Sequence, residues 1–153
     1  MSRTLDSFLR SVNLRLDLPH AERFAHFRPT SKSAQVTDAI ARGEPNAASM
    51  VVAAYGSGKS IAAGAGALML ENNPDARGVI ETLAARLDGV DPATAEFARN
   101  RATEDRRGAA LVLDGGQDDP LGALIDLAES KLGTLALAKK RRGEPIDVLD
   151  AIS

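Results

Sequence analysis

Ala53-Ala54-Tyr55-Gly56-Ser57-Gly58-Lys59-Ser60 lies between a short apolar run, Ser49-Met50-Val51-Val52, and an alanine-rich stretch, Ile61 to Leu70. The apolar run predicts a buried strand over 48–54. The glycines predict a tight loop, and the alanine-rich stretch a helix over about 59–71. Outward from this unit, Ala109-Ala110-Leu111-Val112-Leu113 reads as a second buried strand, ending in Asp114-Gly115-Gly116. Thr30 or Ser31 caps a helix running to about Arg42, with Val36, Ala39 and Ile40 on its apolar face; Gly43 and Pro45 stop it. Asn72-Asn73-Pro74-Asp75 is a turn. Helical patterns follow at about 76–88 (Val79, Ile80, Leu83, Leu87) and 92–104, the second opened by Asp91-Pro92. A long helix spans about Pro120 to Arg142, and a last short one opens at Glu144-Pro145. Residues 3–18 fit both periods: Leu5, Phe8, Leu9 and Val12 at helical spacing, Leu14, Leu16 and Leu18 alternating like a strand. The expected fold class is α/β, a parallel sheet flanked by helices. With two clear strands and an excess of helices, that sheet is incomplete, as in the N-terminal part of a longer chain.

The loop has the chemistry of a phosphate cradle. Backbone N–H groups can converge on an anion only with torsions that most side chains forbid, so glycine stands where the chain turns or touches the ligand. Gly56 and Gly58 fill that need. A helix starting near Lys59 adds its positive dipole end and unpaired N–H groups. Lys59 supplies a mobile charge for β- and γ-phosphates, and Ser60 a hydroxyl for Mg²⁺. The residues fit G-x-x-x-x-G-K-[ST] except at the first position, Ala53, where smallness matters more than a positive φ. A dinucleotide fingerprint fails, because Ile61 stands where G-x-G-x-x-G has its third glycine. The phosphate-contacting candidates are Ala53, Tyr55, Gly56, Ser57, Gly58, Lys59, Ser60 and Ile61. ATP with Mg²⁺ is the expected ligand; no guanine-reading N-K-x-D motif occurs.

Hydrolysis needs an acidic partner. Ala110-Leu111-Val112-Leu113-Asp114 has the outline of an apolar strand ending in a Mg²⁺-linked carboxylate. Gly115 stands where many such ATPases carry Glu. Asp114-Gly115-Gly116 also reads as the plain turn leaving a strand, and Asp118 and Asp119 lie a few residues on. The candidate catalytic residues are therefore Lys59 and Asp114, and the candidate Mg²⁺ ligands Ser60 and Asp114.

The stretch His26 to Ser60, with its Phe27-Arg28-Pro29-Thr30 lead-in, capped helix and Gly-Ser-Gly-Lys-Ser loop, resembles the N-terminal ATPase region of large bacterial phage-defence P-loop ATPases of the BREX type. That resemblance implies a P-loop NTPase fold, ATP hydrolysis in the complete protein, and an acidic motif beyond Ser153. It implies a lead-in segment over 1–30 and a nucleotide-binding domain over 31–153.

Bulk properties narrow the classes. At 153 residues, 44% hydrophobic and 26% charged, the chain has the composition of a globular protein large enough to bury a core. A net charge of −2 argues against a wholesale nucleic-acid binder and leaves only local basic clusters. Those are Lys139-Lys140-Arg141-Arg142, which also suits a helix C-terminus, and Arg99, Arg101, Arg106 and Arg107, a solvated helix end or the source of an arginine finger. There is no cysteine, hence no thiol chemistry. The longest apolar stretch is broken by Gly64, Gly66 and Glu71, so no membrane span is expected, and the chain reads as cytoplasmic. Aromatic residues make up only 3%, so the core must come from Ala, Leu, Val and Ile. His20 and His26 flank Phe24 without enough further ligands for a metal. Phe27 or Pro29 is the candidate adenine contact. The rival class is a non-catalytic interaction module that self-associates or needs a partner subunit.

Overall fold

The computed structural model describes residues 12–43, 48, 50–54 and 56–142, the side chains of 132 and 134–142 excepted. The described residues form helices α1 (Leu14–Asp17), α2 (Ser31–Arg42), α3 (Lys59–Glu71), α4 (Arg77–Leu87), α5 (Pro92–Thr103) and α6 (Pro120–Arg142). Short 3-10 turns at Ala21–Phe24 and Pro74–Ala76 join them. The chain divides into two compact units, Met1–Ala110 and Leu111–Ser153.

No strand occurs among the described residues, which overturns the expected α/β fold with its parallel sheet. The run before the loop is irregular and exposed: Met50 is 88% and Val52 80% accessible. Leu111–Leu113 is equally irregular, with Leu111 and Leu113 exposed. A strand needs partners for its N–H and C=O groups, and two short apolar runs cannot supply each other with a stable sheet. At the start of the second run the N–H groups find helix-end acceptors instead. Gly108 N donates to Leu70 O (3.0 Å) and Ala110 N to Glu71 Oε1 (3.2 Å).

The core of the first unit is helical, and α3 is its centre. Seven of its residues are buried: Ala62, Gly64, Ala65, Gly66, Ala67, Leu68 and Met69. A helix apolar on every side must be enclosed; here α2 packs along it most extensively, and α1, the Ala21–Phe24 turn, α4 and α5 also touch it. Its two interior glycines sit against the lead-in and α2. A Cβ on Gly64 would overlap the ring of Phe24, which is itself fully buried. A Cβ on Gly66 would lie 2.6 Å from Thr37 O and 2.9 Å from Ile40 Cβ. The buried face of α2 is accordingly Ala34, Thr37 and Ala41, rotated from the expected Val36, Ala39 and Ile40. Small residues let the backbones approach, and the Thr37 hydroxyl at the contact reaches Ser33 O (3.0 Å) and Ala62 O (3.1 Å). Alanines dominate the buried set, joined by Phe24 and Phe27, and no valine among the described residues is buried.

Local signals set most helix ends. Thr30 caps α2 in a reciprocal box with Ser33, whose Oγ accepts from Thr30 N (2.7 Å). Gly43 ends it at φ 54°, in the left-handed region. Asn72 ends α3 in the same region at φ 45°. Helices α4 and α5 pair closely, α4 burying Ile80, Leu83, Ala84 and Leu87 at helical spacing. Asp91 caps α5, accepting from Thr94 N (3.1 Å). The lead-in is tied down by Arg86 Nη1, which donates to Ala25 O and Phe27 O. Asp17, 2% exposed, is held by Arg23 Nη1 and Asn13 N, both at 2.8 Å. In the second unit, Asp119 Oδ1 accepts from Gly122 N (3.0 Å) at the start of α6. The helix expected from Glu144 lies outside the described residues.

Two tests follow from this packing. Gly64→Ala gains at most about 1 kcal/mol in helix propensity. Overpacking against the fully buried Phe24 costs about 1–3 kcal/mol and outweighs it, so denaturant unfolding should show a net loss. Gly78→Ala on α4, with nothing within 4 Å of the added Cβ, should instead be neutral or stabilising. The second test concerns Asp91. Its hydrogen bonds from the backbone and then the hydroxyl of Thr94 hold its carboxyl below the ordinary 3.8. The folded pKa is depressed, so this contribution is complete above pH 3.8 and lost as pH falls through the lower folded value. Asp91→Asn keeps a capping oxygen but cannot titrate, so its melting temperature should fall less than that of wild type between pH 5 and pH 3.

Candidate functional site

The loop from Ala53 into α3 keeps its local geometry without the sheet. Gly56 (φ 77°) and Gly58 (φ 83°) both occupy the left-handed region, where a Cβ is strained. A turn between them and the preceding run is closed by Ser57 N donating to Ala54 O at 3.3 Å. Gly58 is the N-cap of α3 and offers no side chain to the first-turn N–H groups. The 13-residue helix therefore presents its positive end at the loop.

Lys59 organises the loop. Its Nζ donates to Ala53 O (2.7 Å) and Ala54 O (2.8 Å) and lies 3.5 Å from Ser57 Oγ. The side chain thus arches back over its own loop, placing a cation beside the glycines and the first turn of α3. Ala53, Gly56 and Ser57 are exposed, and Gly58, Lys59, Ser60 and Ile61 half-buried. Tyr55 lies outside the described residues. Sequence reasoning missed Ala54, which contributes through its carbonyl and so has no side-chain signature.

Asp114 is exposed in the second unit, at the end of the irregular Leu111–Asp114 segment rather than of a strand. Asp119 Oδ1 is engaged by the start of α6. Phe27, a candidate base contact, is 5% exposed and belongs to the core; Pro29 is half-buried. Among the described residues no group of three or more His, Cys, Asp or Glu could hold a metal ion. Of the basic clusters, Arg99 pairs with Asp88 and Arg101 is buried against the C-terminus of α3. The side chains of Lys139–Arg142 fall outside those described. Among the described residues no helix is long and apolar enough to cross a membrane.

Gly56→Ala and Gly58→Ala should each cost about 1–2 kcal/mol through the left-handed torsion alone. Gly56 has no atom within 4 Å of an added Cβ, so crowding adds nothing there, and chemical denaturation of the two variants measures the torsional cost. No family model, curated protein or solved structure matches the chain.

Proposed function

We propose that the loop from Ala53 to Ser60, with the first turn of α3, binds the phosphates of Mg–ATP. The observation that carries this is the Lys59 ammonium held across the loop by Ala53 O and Ala54 O, beside two glycines in left-handed torsions. In this reading the N–H groups of Gly56, Ser57, Gly58 and Lys59 receive phosphate oxygens, and Lys59 turns from the carbonyls to the β/γ-phosphates. Ser60 and the N–H of Ile61 complete the first turn. The ion fits a single protein oxygen, because Mg²⁺ keeps most of its waters and takes its other ligands from the phosphates. Ser60 Oγ is that oxygen, and the metal arrives with the nucleotide. The proposed fold context is a helical one: a glycine loop feeding a buried helix, with no strand among the described residues.

The proposal is for binding. Hydrolysis also needs a carboxylate linked to the Mg²⁺; Asp114, the sequence's candidate for that role, belongs to the second unit. The rival reading, a non-catalytic interaction module, is favoured by the exposure of Met50, Val51 and Val52 immediately before the loop.

Calorimetric titration with Mg–ATP separates the two. Wild type should bind saturably, and Lys59→Ala should lose roughly tenfold or more in affinity, the worth of a charge-assisted contact. A folded wild type that takes up no nucleotide, or a variant that binds equally well, removes the phosphate loop and leaves the interaction module.

A further inference from the structure

At the opposite end of α3 a cavity of about 250 Å³ opens between α2, α5 and the segment after α5. Its polar lining is Arg42, Arg101, Glu104, Arg106 and Arg107, with Phe97 as the aromatic wall. Lys59 and Leu70 are separated by eleven residues of one helix, about 16 Å at 1.5 Å per residue. The cavity and the loop are therefore different places on the first unit.

The four arginines divide by what they already do. Arg101 is 8% exposed and spent on structure: it donates to Met69 O (3.3 Å) and Leu70 O (2.9 Å) and pairs with Glu104. Arg42 is held by Asp38 (2.7 Å) and lies 4.7 Å above the Phe97 ring. Arg106 and Arg107 have no carboxylate partner among the described residues, and Arg107 Nε is buried without a hydrogen-bond partner there. A buried guanidinium N–H with nothing to donate to is destabilising, and an acceptor brought to it relieves that cost. The backbone that carries these two residues is nonetheless firmly placed. Asn72 Nδ2 donates to Glu104 O (2.9 Å) and Arg106 O (3.2 Å), and Gly108 N donates to Leu70 O. A Cβ on Gly108 would lie 2.6 Å from Leu70 O, so the close approach is fixed by the absent side chain.

We propose that this cavity binds the phosphate group of a small phosphomonoester. The charge count selects the ligand. Glu104 and Asp38 offset two of the four arginines, which leaves about two positive charges, on Arg106 and Arg107. A phosphomonoester carries about −1.5 to −2 at neutral pH, whereas a single carboxylate carries one negative charge. The guanidinium fork matches phosphate oxygens pairwise, and Arg107 Nε gains an acceptor. The size sets an upper limit: about 250 Å³ is below the usual range of ligand pockets, roughly 300–1,000 Å³. It is large enough to enclose a phosphate with a few attached atoms, not a whole nucleotide. Phe97 stacks with Arg42 and not with the ligand.

The test is titration of the full chain with inorganic phosphate, then glycerol phosphate, at low ionic strength, followed by ¹H–¹⁵N correlation NMR. The expected result is a saturable shift of the Gly43, Phe97, Arg107 and Gly108 amides. Arg106→Gln, at an exposed position, should weaken binding roughly fivefold or more, and Arg107→Lys, which keeps charge but loses the fork, should weaken it comparably. Lys59→Ala should leave these shifts in place while removing those of the loop, which keeps this proposal separable from the nucleotide reading. Should Arg107→Lys fail to fold, Arg106→Gln alone decides. The proposal is overturned by unsaturable shifts spread over the surface, by unchanged affinity in Arg106→Gln, or by loss of the cavity shifts in Lys59→Ala. A short DNA duplex that shifts these amides when neither phosphate compound does would also overturn it, in favour of nucleic-acid backbone contact.

Discussion

Gly64 and Gly66 lie against atoms that leave no room for a methyl group, and this steric constraint organises the first unit. Phe24 fills the space over Gly64, and the backbone of α2 at Thr37 fills the space over Gly66. Close approach brings Thr37 Oγ1 within hydrogen-bonding distance of Ala62 O, so the contact between α2 and α3 is polar as well as apolar. A chain rich in alanine and poor in aromatic residues gains dispersion contacts in this way. It brings backbones together where larger side chains would hold them apart. The alanine-rich composition and the close helix packing thus have one cause.

The same helix carries different chemistry at its two ends. Its N-terminus emerges from a glycine loop with Lys59 folded over it, and no side chain caps it. Its C-terminus is heavily served: Arg101 and Gly108 donate to the last carbonyls, and Asn72 turns the chain and fastens the 104–106 backbone. That fastening places Arg106 and Arg107 beside the cavity. Positive charge at a helix C-terminus offsets the dipole, and Arg101 performs that task, leaving the two later arginines for other partners.

Helix positions were legible because their signals are local. Thr30, Gly43, Asn72 and Asp91 each act within one turn, and α2, α3 and α6 occupy the residues that pattern and punctuation predict. The two expected strands failed for a matching reason. An apolar run of four or five residues is compatible with a buried strand, but only neighbours can supply its hydrogen bonds. Met50–Val52 and Leu111–Leu113 have no such neighbours among the described residues. The loop was legible as glycine, lysine and serine at fixed spacing. The part played by Ala54 was not, because a carbonyl's direction leaves no trace in residue type.

The sequence by itself determined where α2, α3 and α6 begin and end, that a glycine loop precedes the most apolar of the helices, and that a lysine stands at its first position. These depend on torsional preference and hydrogen bonds within a turn. Tertiary structure decided which face of α2 is buried, that α3 is enclosed by helices, and that arginines distant in sequence from Arg42 share a cavity with it. Those outcomes depend on which surfaces approach closely enough to exclude water. Residues as far apart as Phe24 and Gly64, or Leu70 and Gly108, settle them together.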